Sequence, residues 1–174
     1  YVKEELKTTM VEEVNAAGFQ DTIWCLVETL KEKILIGLCY RSPNSTVDNN
    51  EKLLKVLESA VNLKVATHVM IMGDFNYPTI DYEGGMVNAG EQTDAHRFYD
   101  KTQDLYLIQN VKEPTRFRGG QRPSLIDYLF TDEDNIVEDL QNQVPLGKSD
   151  HVCLSWNLIV QKQEHCSFDE KTNY

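Results

Sequence analysis

The chain has 174 residues, 41% hydrophobic and 26% charged, enough for one domain with a real core and an ordinary composition for a globular protein. No window approaches the ~18 consecutive apolar residues of a membrane helix, and the opening "YVKEELKTTM" has no apolar signal region. A formal net charge of −11 argues against broad, non-specific attraction to nucleic acid, which uses excess Lys and Arg, without excluding a nuclease whose carboxylates hold cations.

Taken in chain order, "DTIWCLVETL" (21–30) and "EKILIGLCYR" (32–41) read as two strands joined by a short polar connection, a hairpin. The second is apolar on both faces, which predicts a central strand. "RSPNST" (41–46) is a loop by composition. Asp48 and Glu51 have capping-box spacing, and Leu53, Leu54, Leu57, Ala60 and Val61 follow at helical spacing, so a helix is expected over about 48–64. "THVMIMG" (67–73) has the pattern of a buried strand. Residues 76–93, rich in Gly, Asn, Pro and Asp, read as a long loop, a feature that usually has a functional reason. Ala95, Phe98, Tyr99, Thr102 and Leu105 mark a second helix. A basic loop (112–123) leads to the strand "SLIDYLFT", then the weaker strand "NIVEDLQNQV". "DHVCLSWNLIV" closes the set as a one-sided strand, with Val152, Leu154, Trp156 and Leu158 alternating with polar neighbours.

Four cysteines, Cys25, Cys39, Cys153 and Cys166, include no C-x-x-C pair. Three lie in apolar strand-like runs and read as reduced core thiols of an intracellular protein, nuclear or cytoplasmic and not secreted. Trp24 and Trp156 read as core aromatics. His68, His96 and His165 read as structural or solvated, since a lone His rarely marks a ligand site.

The informative residues are polar ones lodged at or in apolar strands. "GDFN" (73–76) ends a strand with Asp74 and Asn76, which fits either a turn or a site. Asp127 sits inside "LIDYLF", where an ionised carboxylate needs a partner such as His151, unless it lies at an edge and reaches solvent. "KSDH" puts Asp150 and His151 where a loop meets a strand. Together, three strands end in or carry a carboxylate and one adds an imidazole. Strand ends are where rigid scaffolds present catalytic groups. Magnesium takes oxygen ligands and keeps several waters, so a few carboxylates and an amide suffice. Arg116, Arg118 and Arg122, on a Gly-Gly loop with no acid among them, are candidates for gripping phosphates, or are simply solvated.

"CYRSPNS", "GDFN", "SLIDYLF" and "GKSDHVCLSW", in that order, resemble the endonuclease/exonuclease/phosphatase superfamily, which includes apurinic/apyrimidinic endonucleases and DNase I-like nucleases. The similarity is nearest to the endonuclease domain of non-LTR (LINE-type) retrotransposon polyproteins and spans roughly residues 20–160. It implies an α/β fold, a DNase I-like two-sheet sandwich flanked by helices, and Mg²⁺- or Mn²⁺-dependent hydrolysis of DNA. It also implies ancestral fusion to a reverse transcriptase, DNA as partner and no membrane. By position, Asp74 would activate the attacking water and Asn76 would orient it. Asp127 would orient His151, and His151 would bind and polarise the scissile phosphate. Asp150 would serve the metal, Tyr40 would stabilise charge at the phosphate, and Asn44 would contact the nucleic-acid backbone. Members of the superfamily begin with a strand carrying Asn and another carrying a metal-binding Glu, and neither is found here. Residues 1–160 are therefore expected to be the carboxyl-terminal portion of such a domain, followed by a polar tail (161–174). The chain does not begin with Met, and a piece of a longer product, with impaired activity alone, is expected. The other readings are a non-catalytic relic or binding module of the same fold, and a phosphatase acting on small phosphorylated molecules.

Overall fold

The computed structural model describes residues 1–159. The expected tail, with His165 and Cys166, lies outside the described residues. The chain opens with β1 (Lys7–Met10), whose "KTTM" is exposed at every position and has no apolar alternation to predict it; its pairing with the next strand makes it regular. A short 3₁₀ turn (Glu12–Asn15) tucks Val14 into the core. The expected hairpin follows as β2 (Thr22–Glu28) and β3 (Lys33–Tyr40), with Ile23 opposite Leu38 and Val27 opposite Ile34.

Helix α1 (Val47–Asn62) carries the chain to β4 (His68–Asp74), which lies parallel to β3. Its amino-terminal cap is Thr46, whose hydroxyl accepts from the Asn49 amide at 3.2 Å. Asp48, expected as the cap, instead pairs with Lys52 one turn on at 2.7 Å. The Thr46 hydroxyl satisfies the orphan amide and leaves Asp48 free for its neighbour. The long loop contains a small hairpin, β5 (Ile80–Asp81) with β6 (Met86–Val87). Then come α2 (Asp94–Asp104), the two-residue β7 (Ile108–Gln109), β8 (Asp127–Thr131), β9 (Val137–Gln143) and β10 (Cys153–Leu158).

Six strands form one sheet in the order β1-β2-β3-β4-β8-β7, so β3 is interior, as its two apolar faces require. On one face, Trp24, Leu35, Val69, Ile71, Tyr128 and Phe130 pack against Leu53, Val56 and Leu57 of α1 and Phe98 of α2. On the other, Met70 and Leu129 pack beneath Leu140, Leu154 and Trp156 of the β9–β10 hairpin. That hairpin is the second sheet of the sandwich among the described residues, and it covers only part of the face. Further along the same face Met10, Ile23, Leu38 and Tyr40 stay about half exposed. Cys39 is buried, Cys25 is half-buried and Cys153 is exposed. The expectation of a core thiol at position 153 is therefore wrong, because strand alternation turns Leu154 inward and its neighbour outward. No helix among the described residues is long and apolar enough to cross a membrane.

Two glycines set how closely the strands approach. A Cβ at Gly37 would come within 2.3 Å of the Trp24 indole. At Gly73, with φ +142°, it would meet the Cys39 carbonyl oxygen of β3 at 1.9 Å. Backbone cannot yield as a flexible side chain does, and an L side chain is itself strained at this φ. Gly73→Ala is expected to cost about 3 kcal/mol or more of unfolding free energy. An unchanged urea midpoint would show that β4 does not depend on this contact.

Candidate active site

The register of three neighbouring strands builds the site. Tyr40 at the end of β3 lies beside Asp74 at the end of β4. Asp74 lies opposite Asp127 at the start of β8. Each is an even number of residues from an inward-facing residue of the hairpin side (Met72 and Leu129 on β4 and β8), so alternation puts all three on that face, at its rim. Phe75 and Tyr128, one residue further along, turn the other way into the aromatic core. Their rings stack with centroids 5.6 Å apart, and Phe75 also contacts Phe98 at 5.2 Å. The four residues of "GDFN" thus divide the labour. Glycine permits close approach, aspartate reaches the rim, phenylalanine anchors the strand end and asparagine makes the turn.

That turn is held by its own side chains. The Asn76 amide donates to Asp74 Oδ1 at 3.0 Å, and Asn76 Nδ2 donates to the Arg41 carbonyl at 2.9 Å. Asn76 has φ +51°, a left-handed conformation that Asn tolerates better than most residues. His151 meets Asp127 through Nδ1 and Oδ2, 2.9 Å apart. An ionised carboxylate only accepts, so Nδ1 carries the proton and Nε2 is the nitrogen left to face a ligand. Asp127 is positioned by Thr115, which is fully buried. Its hydroxyl accepts from the backbone amides of Ile126 and Asp127 at 3.3 and 3.1 Å. One ligand atom from each of Asp74, Asp127 and His151 lies within 4.8 Å of the others.

Of the remaining sequence candidates, Asp150 and Arg116 adjoin this group. Asp150 precedes His151, and its carboxylate lies 3.6 Å from Arg116 Nε, outside the group of three. Arg116 also donates to Gln121 Oε1 at 3.2 Å. Its backbone bridges to both Ser124 and His151, tying the basic loop to the site. Arg118 and Arg122 are exposed on that loop, and Asn44 is exposed in the turn after β3. His96 serves the amino-terminal cap of α2 beside Thr93, and His68 is buried between Glu32 and Glu133. Sequence reasoning missed Thr115 and Arg41. Thr115 carries no signal, since its role depends on a loop returning beside β8. Arg41 had one, a cation directly after an apolar strand.

Burial pushes the Asp74 carboxyl up to about 6, with the negative Asp127 adding to the effect and His151 and the Asn76 amide opposing it. Carboxylates directly opposite each other destabilise a sheet. Two oxygen-donor side chains held together in this way suit a hard divalent cation.

The model of a family described as endonuclease-reverse transcriptase matches residues 34–155. No curated protein matches the chain. Among solved structures, the endonuclease domain of TRAS1, a telomere-specific non-LTR retrotransposon, superposes with a TM-score of 0.69 at 19% identity, over 92% of this chain and 72% of that one. The 3′ phosphatase NExo from Neisseria, bound to a product DNA hairpin, gives 0.60 at 13% identity, over 91% and 72%. An AP endonuclease from Archaeoglobus fulgidus gives 0.51 at 15%, over 79% and 65%. These likenesses show the fold, which is that of the DNase I-like nucleases and phosphatases.

The Asp74 environment has a consequence for stability. Below pH ~4 its carboxyl is protonated folded or unfolded, and nothing is lost. Between about 4 and 6 the unfolded chain ionises while the folded one holds its proton, so stability falls as pH rises through this window. Asp74→Asn, which keeps the acceptor for the Asn76 amide, should be about 1–2 kcal/mol more stable than the parent at pH 7 in EDTA, after allowance for solvent screening. At pH 3, below both pKa values, the two should match. Urea unfolding at both pH values measures this, and a gap that does not change with pH would contradict it.

Proposed function

The chain belongs to the endonuclease-reverse transcriptase family, and from that premise we propose that it hydrolyses DNA phosphodiesters with Mg²⁺ or Mn²⁺, as the nicking domain of a retroelement polyprotein. The observation that carries this reading is the convergence of Asp74, Asp127 and His151, from three separate segments, on one rim. In it, Asp74 takes the proton of the attacking water and Asn76 orients that water. His151, held by Asp127, offers Nε2 to the scissile phosphate, where charge develops as the bond to the leaving oxygen breaks. Tyr40, about half exposed beside Asp74, adds a hydroxyl donor to the same phosphate. Asp150 with the neighbouring carboxylates would hold the cation, together with the Glu that the resemblance puts in an upstream segment. When bound, the cation supplies Lewis-acid polarisation of phosphate oxygens and a lowered pKa for its water. Residues 1–160 are then the carboxyl-terminal portion of the domain, with impaired activity alone. Asn44, Arg116, Arg118 and Arg122 contact the nucleic-acid backbone.

A phosphatase acting on small phosphorylated molecules is the nearest rival, since NExo shares the fold under a 3′ phosphatase name. Two exposed guanidiniums on a loop tied to His151 favour a polyanionic strand instead. Incubation of supercoiled plasmid with Mg²⁺ should produce nicking, either by the chain alone or after an upstream segment carrying the Glu is supplied. Asp74→Ala and His151→Ala should each lower the rate by about 10²-fold or more. Variants as active as the parent would sink the site assignment. Preference for phosphomonoesters in a substrate panel would favour the phosphatase, and absence of specific Mg²⁺ uptake in calorimetry would favour a relic.

A further inference from the structure

We propose that Arg41 is a positioning residue: its buried guanidinium fixes the Asp74–Asn76 turn in the conformation that presents Asn76 to the substrate. The proposal rests on the hydrolytic reading above for its consequence, and on geometry alone for its mechanism.

Arg41 is 6% exposed. Its side-chain partners are neutral. Nε donates to Asn50 Oδ1 at 2.9 Å, and Nη1 donates to the carbonyl oxygens of Phe75 and Asn76 at 3.4 and 3.3 Å. The guanidinium carbon sits 4.0 Å from the centre of the Tyr77 ring. The nearest negative charge along this network is one residue removed: Asn50, itself buried, donates from Nδ2 to Asp94 Oδ2 at 2.7 Å. A buried cation among neutral acceptors carries a large desolvation penalty, which an apolar side chain of the same size would avoid while filling the space. What the guanidinium adds is direction.

That direction is shared between Arg41 and the turn. The Arg41 amide donates to the Asp74 carbonyl at 2.8 Å. The Arg41 carbonyl accepts from Asn76 Nδ2 at 2.9 Å. The Phe75–Asn76 peptide accepts from the guanidinium at its oxygen and donates its N–H to Asp74 Oδ1 at 3.0 Å. Cation, peptide dipole and carboxylate therefore stand head to tail, an arrangement in which each bond polarises the next. The same contacts hold Asn76 at φ +51°, a left-handed conformation that Asn adopts more readily than most residues. A lysine at position 41 would keep the charge and lose the planar fork that reaches two carbonyls and Asn50 at once.

The test uses Arg41→Lys and Arg41→Met, with NMR of the free chain and plasmid nicking kinetics. Both variants should move the backbone and side-chain amide signals of Asn76 while leaving those of the β9–β10 hairpin in place. In nicking, kcat should fall by about 10²-fold for Arg41→Met and about 10-fold for Arg41→Lys, with KM within about threefold, because a misplaced group near the chemistry costs turnover rather than binding. Should the Met variant fail to fold, Asn50→Ala, which removes the Nε acceptor together with the bond to Asp94 and leaves the guanidinium bonds to the turn, replaces it with a smaller expected shift. A folded Arg41→Lys with unmoved Asn76 signals, or with parental kcat, overturns the proposal. A parent chain that nicks no DNA under any condition speaks against the hydrolytic reading alone, and the Asn76 signals still decide whether Arg41 positions the turn.

Discussion

The antiparallel register that sets Asp74 opposite Asp127 is the constraint on which the site depends. Two carboxylates in that relation repel, and the fold bears the repulsion because the residues beside them are its strongest anchors. Phe75 and Tyr128 are both essentially fully buried and stack on each other. The Tyr128 hydroxyl donates to the Tyr77 carbonyl at 2.7 Å, tying the far side of the turn to the same cluster. Alternation along a strand thus joins an aromatic in the core to an acid at the rim. Neither acid can retreat without pulling a ring out of a packed interior.

The same reasoning explains the long segment after the turn. Tyr77 and Ile80 are buried, and Tyr82 packs on Tyr128 and Phe130, so residues 76–93 close the aromatic core more than they hang over the site. Composition alone reads this stretch as loop because its apolar residues are spaced irregularly among Gly, Asn and Asp. Apart from the small β5–β6 hairpin it is loop, yet it sends Tyr77 and Ile80 into the core. Arg41 holds its first residue, Asn76, and α2 begins where it ends.

Much of the architecture is legible in the sequence because periodicity is strong. β3 reads as interior from its two apolar faces, and β10 reads as one-sided from its alternation. Elements invisible to that signal are short or polar: β1 is "KTTM" with every residue exposed, and β7 has two residues. Both exist by pairing with a neighbour already in place. At the site, carboxylates and an imidazole stand out where a core should be apolar, so Asp74, Asp127 and His151 can be named from sequence. Thr115 cannot, because a hydroxyl that satisfies two backbone amides across a chain reversal has no local pattern. The alternation that makes β10 readable also turns Cys153 outward, against the general tendency of a free thiol to be buried.

Electrostatics narrow how a polyanion could approach. The chain carries a net charge of −11, so its far field repels a polyanion, and any attraction would have to be local and short in range. Arg116 is largely engaged by Asp150 and Gln121, which leaves the exposed Arg118 and Arg122 to offer positive charge from the basic loop. The loop's backbone bridges to His151, so a phosphate, were one held on the loop, would lie on a segment joined to the imidazole's own backbone. On the proposed reading, a divalent cation held by these carboxylates would offset part of the charge that opposes such an approach. The carboxylate pair that strains the sheet would then link the binding of metal to the binding of a polyanion.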